Sequence, residues 1–232
     1  MTYWHIEPLG CRALRITAPR LSRDRAAEAL QALADALRGQ AGVLWLDALA
    51  GPTSVTAHYD PLAVPEREAL LPWLTRQIEA LSVRRLAGAP RHHEIPICFG
   101  GEFGPDLGDV AQHARLSLDE TIALLTRAPM RVASLGFLPG FGYLEGVPAA
   151  LQMPRRATPR VAVPTGSLAL AAGYAGIYPL TSPGGWNLVG RTPLSMLDFS
   201  LPDSPAILSP GDLVTLRAIS EVEFSQLRLT RA

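Results

Sequence analysis

Residues 155–191 read RRATPRVAVPTGSLALAAGYAGIYPLTSPGGWNLVGR. Glycine and proline cut this stretch into apolar runs of strand length: 161–163, 167–171, 176–180 and 186–189. Many short strands with regular turn signals predict a closed β-barrel. Arg155, Arg156 and Arg160 lie close together, and Arg191 follows the glycine-rich SPGGW turn. Guanidinium forks grip carboxylates and phosphates with paired hydrogen bonds, and glycine lets a ligand approach the backbone. The stretch therefore suits an anion-binding wall, with Ser167 and the backbone at Gly184, Gly185 and Trp186 as further contacts. The same arginines equally suit the exposed faces of ordinary hairpins.

Downstream, SPGD at 209–212 is a turn before an alternating strand over 213–219, and 221–229 reads as a closing helix. Upstream, 94–99 is a strand that runs into the glycine-rich loop GGEFGPDLGD at 100–109. Pro105 fits the first turn of a helix, and Asp106 and Asp109 complement its positive end. Asp106, Asp109 and His113 share a helix face, a spacing that suits either a metal or acid/base site or plain charge matching. Glu102 and Asp106, flanked by glycines, are the stronger functional candidates. Ser117 and Glu120 form a capping box for a helix that runs to Arg127. A strand over 130–137 exits into GFLPGFGYL, where Phe137, Pro139, Phe141 and Tyr143 make an apolar lip for a pocket. Cys98 has no local base and reads as a buried strand residue.

The first 90 residues differ in pattern. Strands at 4–6 and 13–16, a helix at 23–38 with Leu30, Leu33 and Leu37 in register, a hairpin over 43–59 and a helix at 65–82 predict two helices on one face of an antiparallel sheet. His5 and His58 fall on strands as structural or surface groups. The polar run RRLAGAPRHH at 84–93 marks a linker, and His92 and His93 point to opposite faces of an extended chain. The fold class is thus α+β, with an N-terminal α+β sandwich domain at 1–90 and a barrel domain at 91–232.

Composition excludes several functions. Lys+Arg and Asp+Glu both total 21, so the basic footprint of a nucleic-acid binder is missing. All the basic residues are arginine, which excludes a Walker P-loop and Schiff-base chemistry for this chain acting alone. No run of eighteen apolar residues is present, so no membrane partner is expected. The start MTYWHIEPLGCRALRI lacks a signal-peptide pattern, and two cysteines are too few for a disulfide framework. A cytoplasmic location is the expectation.

GGEFGPDL, LGFLPGFGYL, PRRATPRVAVPTGS, GIYPLTSPGGWNLVGRTP and LSPGDLV occur in this order and spacing, and together they resemble the B-subunit family of bacterial 5-oxoprolinase. That family also includes the kinase inhibitor KipI and the allophanate hydrolase subunit 1-like domain. One departure is Gly142, where the pattern has proline, which implies a looser lip. The resemblance implies that the barrel is cyclophilin-like. It implies partners as well: a related barrel of the C type and a ring-opening protein of the A type. The activity implied is hydrolysis of 5-oxoproline to glutamate, with ATP and Mg²⁺, through phosphorylation of the lactam. Glu102, Asp106 and Arg156 would then be catalytic, with Glu102 and Asp106 holding Mg²⁺ or a proton. Arg155, Arg160 and Arg191 would bind substrate or nucleotide. A KipI-like inhibitor that docks on a sensor histidine kinase is the alternative of a different class.

Overall fold

The structure, a computed structural model, describes residues 4–17, 23–39, 45–64, 66–83, 90–200 and 205–229. The chain divides into two compact units, residues 1–89 and 90–232.

In the first unit, β1 (His5–Leu9), β2 (Ala13–Thr17), β3 (Asp47–Ala50) and β4 (Ser54–His58) form an antiparallel sheet in the order β1-β2-β4-β3. Leu14 and Ile16 of β2 are buried while Arg15 between them is exposed, the period-2 alternation of a one-sided sheet. Helix α1 (Arg23–Arg38) buries Leu30, Leu33 and Leu37 completely and packs on β3, β4 and α2 (Leu71–Val83). The expected second helix starts later than the sequence suggests. A 3₁₀ turn over Arg67–Leu70 precedes it, and Pro65 lies outside the described residues, as do Val43 and the linker positions 84–89.

The second unit is the barrel. Its strands are β5 (His92–Phe99), β6 (Met130–Leu135), β7 (Gly142–Glu145), β9 (Ser167–Ala171), β10 (Tyr174–Ile177), β12 (Asn187–Arg191) and β13 (Leu213–Ala218). They close in the order β10-β7-β6-β13-β5-β12-β9. Strands β8 (Arg160–Val163) and β11 (Ser182–Gly184) form a separate two-stranded ribbon. Ile97, Val132, Leu144, Leu168, Leu170 and Val214 fill the interior. Helices α3 (Leu107–Ala114) and α4 (Leu118–Arg127) connect β5 to β6, and α5 (Glu221–Leu229) packs against β5. The Ser117–Glu120 capping box is formed in both directions, with Ser117 N donating to Glu120 Oε2 at 2.8 Å. No described helix is long and apolar enough to cross a membrane.

One feature departs from the expectations. Gly142 does not loosen the lip: it pairs with Leu135 across β6 and β7, and the last part of that lip is strand β7. A Cβ there would sit 3.2 Å from Leu208 Cδ1, so the small residue makes room for Leu208. β13 pairs with β5 in parallel.

Asp212 ties the start of β5 to the turn before β13. Its buried carboxylate accepts from Arg91 Nη2 at 2.8 Å and the Ser209 amide at 2.9 Å, and contacts His93 Nε2 at 3.0 Å. His93 thus serves a structural bond, and His92 meets Thr215 Oγ1 instead. Burial pushes the Asp212 carboxyl up, but the bonds from Arg91, Ser209 and His93 outweigh it and leave the group below its ordinary value. Stability from a depressed carboxyl is full above its unfolded value, about 3.9, and disappears as pH falls through the lower folded value. Asp212→Asn is therefore expected to destabilise the barrel at pH 7, with a deficit that shrinks below about pH 4. Urea titrations of both proteins from pH 7 to 3 check this, and a deficit independent of pH would contradict it.

Candidate functional site

The lip, the arginine run and the β8–β11 ribbon meet at one pocket. It encloses about 100 Å³ and is lined by Phe137, Phe141, Tyr143, Arg155, Tyr178, Pro183, Gly184, Gly185 and Trp186. Seven of these carry the expectations from sequence. Tyr178 and Pro183 do not: Tyr178 reads as part of the apolar strand at 176–180, and only its place in the GIYPLTSPGG motif marks it.

Phe141 is the hub of the wall. It meets Tyr143, Tyr178, Phe137 and Trp186 edge to face, with ring centroids 5.1, 5.3, 5.4 and 5.6 Å away. Such T-shaped pairs favour a fixed geometry beyond simple area burial. The hub fits because Gly176 lies beneath it, where a Cβ would come within 2.5 Å of the ring. Phe137 stands at the rim, exposed and with φ of 68°. A bulky residue in the left-handed region is strained, and such strain gathers at binding sites. Gly136 N donates to Phe141 O and Phe141 N to Leu138 O, which hold that turn, with Pro139 exposed at its tip and outside the pocket.

The arginines divide. Arg155 is exposed at the pocket wall, and no carboxylate among the described residues pairs with it. Arg156 and Arg160 are committed behind the wall. Asp106 Oδ1 accepts from Arg156 Nη1 at 2.7 Å and Arg160 Nη2 at 2.8 Å; Oδ2 accepts from Arg160 Nη1 at 2.8 Å and the Leu188 amide at 2.7 Å. The Asp106 side chain is buried. The pair of arginines supports the pocket floor: the Arg156 amide donates to Gly185 O at 2.8 Å, and Arg160 pairs with Gly184 between β8 and β11.

This geometry corrects the expected parts of several residues. Asp106, with four bonds into its carboxylate, is an anchor rather than a free base or metal ligand. Arg156 is held by that anchor rather than presented to a ligand. Glu102 is exposed in the turn after β5, apart from Asp106's buried carboxylate. Arg191 lies over the Phe103 ring at 5.6 Å, and Ser167 is fully buried in β9 with its Oγ unpartnered; neither lines the pocket. Asp109 and His113 are exposed on α3. Among the described residues no group of three or more His, Cys, Asp or Glu side chains could hold a metal ion. With its carboxylate filled by Arg156, Arg160 and the Leu188 amide, Asp106 does not fit a Mg²⁺ shared with Glu102. Burial pushes the Cys98 thiol up, which suits a buried strand residue and not a nucleophile.

A family model described as carboxyltransferase domain, subdomain C and D, matches residues 4–208. The 5-oxoprolinase B subunit of Bacillus subtilis (strain 168) is 33% identical over 231 residues, 95% of each chain. The solved structure of TTHA0988 superposes with a TM-score of 0.73 at 34% identity, over 90% of this chain and 40% of that one. This chain thus spans two-fifths of the TTHA0988 chain. The urea carboxylase of Kluyveromyces lactis, at 18% identity, gives a TM-score of 0.72 over 97% of this chain and 22% of that chain, a likeness of fold alone.

Proposed function

The chain belongs to the 5-oxoprolinase B-subunit family, and from that premise we propose that it holds 5-oxoproline within an ATP-dependent 5-oxoprolinase. The observation that carries this reading is the aromatic pocket with one uncommitted guanidinium, Arg155, at its wall. A five-membered lactam with a carboxylate matches both features. Its flat ring suits the edges and faces of Phe137, Tyr143 and Trp186, and its carboxylate suits the Arg155 fork.

A lactam amide is a poor electrophile. ATP supplies the phosphoryl group that turns the lactam oxygen into a leaving group. The work of this chain is to bind the ring, orient its carboxylate and exclude water with the aromatic wall. Arg156 and Arg160 are engaged by Asp106, so in this reading the triphosphate and its Mg²⁺ sit outside this pocket. A related C-type barrel is the partner that completes the site, and a separate A-type protein opens the ring.

Arg155→Ala in the co-expressed complex tests this. Losing one charge-assisted hydrogen bond is expected to raise the KM for 5-oxoproline about tenfold or more, with the KM for ATP unchanged. An unchanged KM for 5-oxoproline would remove the pocket from the reading. Stable capture of a sensor kinase by a chain that supports no 5-oxoproline-dependent ATP turnover would favour the inhibitor role instead.

A further inference from the structure

Tyr178 is the more deeply buried of two tyrosines in the pocket lining, and its hydroxyl has no task in the fold. The residue is 1% exposed. Its ring packs against Phe141 and Phe137 at 5.3 and 6.1 Å. Its hydroxyl has no hydrogen-bond partner among the described residues, yet the residue lines the pocket. The ring is buried while the hydroxyl opens onto the pocket, where it is free to donate to whatever the pocket holds. Its position is built: the hydroxyl lies against Gly184, where a Cβ would come 2.9 Å from Tyr178 Cζ and closer still to the oxygen. Glycine at 184 therefore lets the phenol reach the wall that Arg155 also occupies.

We infer that the Tyr178 hydroxyl and the Arg155 guanidinium together hold the carboxylate of a small ring acid, so that the pocket selects ring carboxylates over neutral lactams. The inference rests on reading the pocket as the substrate site. Burial raises the Tyr178 phenol above its ordinary value; the charges of Arg155 and Arg160 oppose this without reversing it. The group is thus a neutral O–H donor at pH 7. A donor beside a guanidinium is the complement of a carboxylate, whose oxygens are acceptors only. The remaining lining supplies no second charge; its other polar atoms are the Tyr143 hydroxyl and the Trp186 indole N–H.

The test is an NMR-monitored titration of the full chain and its Tyr178→Phe variant with 5-oxoproline, pyrrole-2-carboxylate and 2-pyrrolidone, the last being the lactam without its carboxylate. The variant keeps the ring and its packing. The expected result is about tenfold weaker binding of both acids by Tyr178→Phe, with 2-pyrrolidone unaffected. Gly184→Ala, which displaces the hydroxyl instead of deleting it, is expected to give the same selective loss. Equal affinity of parent and Tyr178→Phe for the acids overturns the inference and leaves the substrate site standing. Equal weakening of acids and 2-pyrrolidone overturns the carboxylate role. Binding of pyrrole-2-carboxylate but not 5-oxoproline overturns the substrate reading and keeps the ring-acid pocket. No binding of any acid by the parent overturns both.

Discussion

Asp106→Ala is expected to destabilise the barrel unit by about 3–5 kcal/mol, the cost of removing one partner from a buried ion pair. The size of the loss follows from what the carboxylate serves. It accepts four hydrogen bonds, three from two guanidinium groups and one from the Leu188 amide of β12. Arg156 and Arg160 are largely covered, and Arg156 Nε is already buried without a partner. Without Asp106, two like charges would face each other with no counter-charge, and the Leu188 amide would lose its acceptor. Asp106→Asn keeps one acceptor oxygen but balances neither charge, so a smaller loss is expected. Urea unfolding of the full chain measures both. The result separates two parts for Asp106. A catalytic carboxylate would leave the unfolding midpoint unchanged and abolish turnover; an anchor lowers the midpoint and weakens the pocket with it, because Arg156 and Arg160 hold the floor at Gly184 and Gly185. An unchanged midpoint would sink the anchor.

That division of labour also shows what the sequence can reveal. Local signals were legible. The Ser117–Glu120 box starts α4, the apolar runs at 161–163, 167–171, 176–180 and 186–189 fall on or overlap β8, β9, β10 and β12, and α5 falls on 221–229, whereas β11 lies where the sequence reads as a turn. Each depends on a few neighbouring residues, for which turn and capping chemistry suffices. Non-local pairings were not legible. The parallel match of β13 with β5 joins segments more than a hundred residues apart, and no local pattern encodes it. The arginine cluster shows the same limit. Four arginines near a glycine-rich turn announce an anion, but not whether the anion is a ligand or the chain's own Asp106, fifty residues upstream. Only the fold divides them: Arg156 and Arg160 go to Asp106, Arg191 to the Phe103 ring, and Arg155 to the pocket. Tyr178 escaped notice because a tyrosine within an apolar run looks like core, and only the fold turns its hydroxyl toward the pocket.

Gly104→Ala is expected to be as damaging as the loss of Asp106, at about 3 kcal/mol or more, through sterics alone. The loop after β5 lies directly on β12. Gly100 N donates to Val189 O at 3.1 Å, and Asp106 N to Leu188 O at 2.9 Å. Between those bonds, a Cβ on Gly104 would stand 2.6 Å from Gly190 N and inside the contact distance of the Val189 carbonyl. The obstacle is backbone, so no side chain can swing aside. Nor can β12 retreat, since it is paired on both edges, with β5 and β9. The loop must lift, and in lifting it pulls the Asp106 amide from Leu188 and the carboxylate from its arginines. Gly108→Ala is the internal control. It lies in α3 with nothing within 4 Å of a new Cβ, so it is expected to stabilise the chain by about 0.5–1 kcal/mol. Urea midpoints that move in opposite directions would establish loop-on-strand contact as the element that sets Asp106 in place. A Gly104→Ala protein as stable as the parent would mean the loop does not rest on β12, and the account of the pocket floor would fall with it.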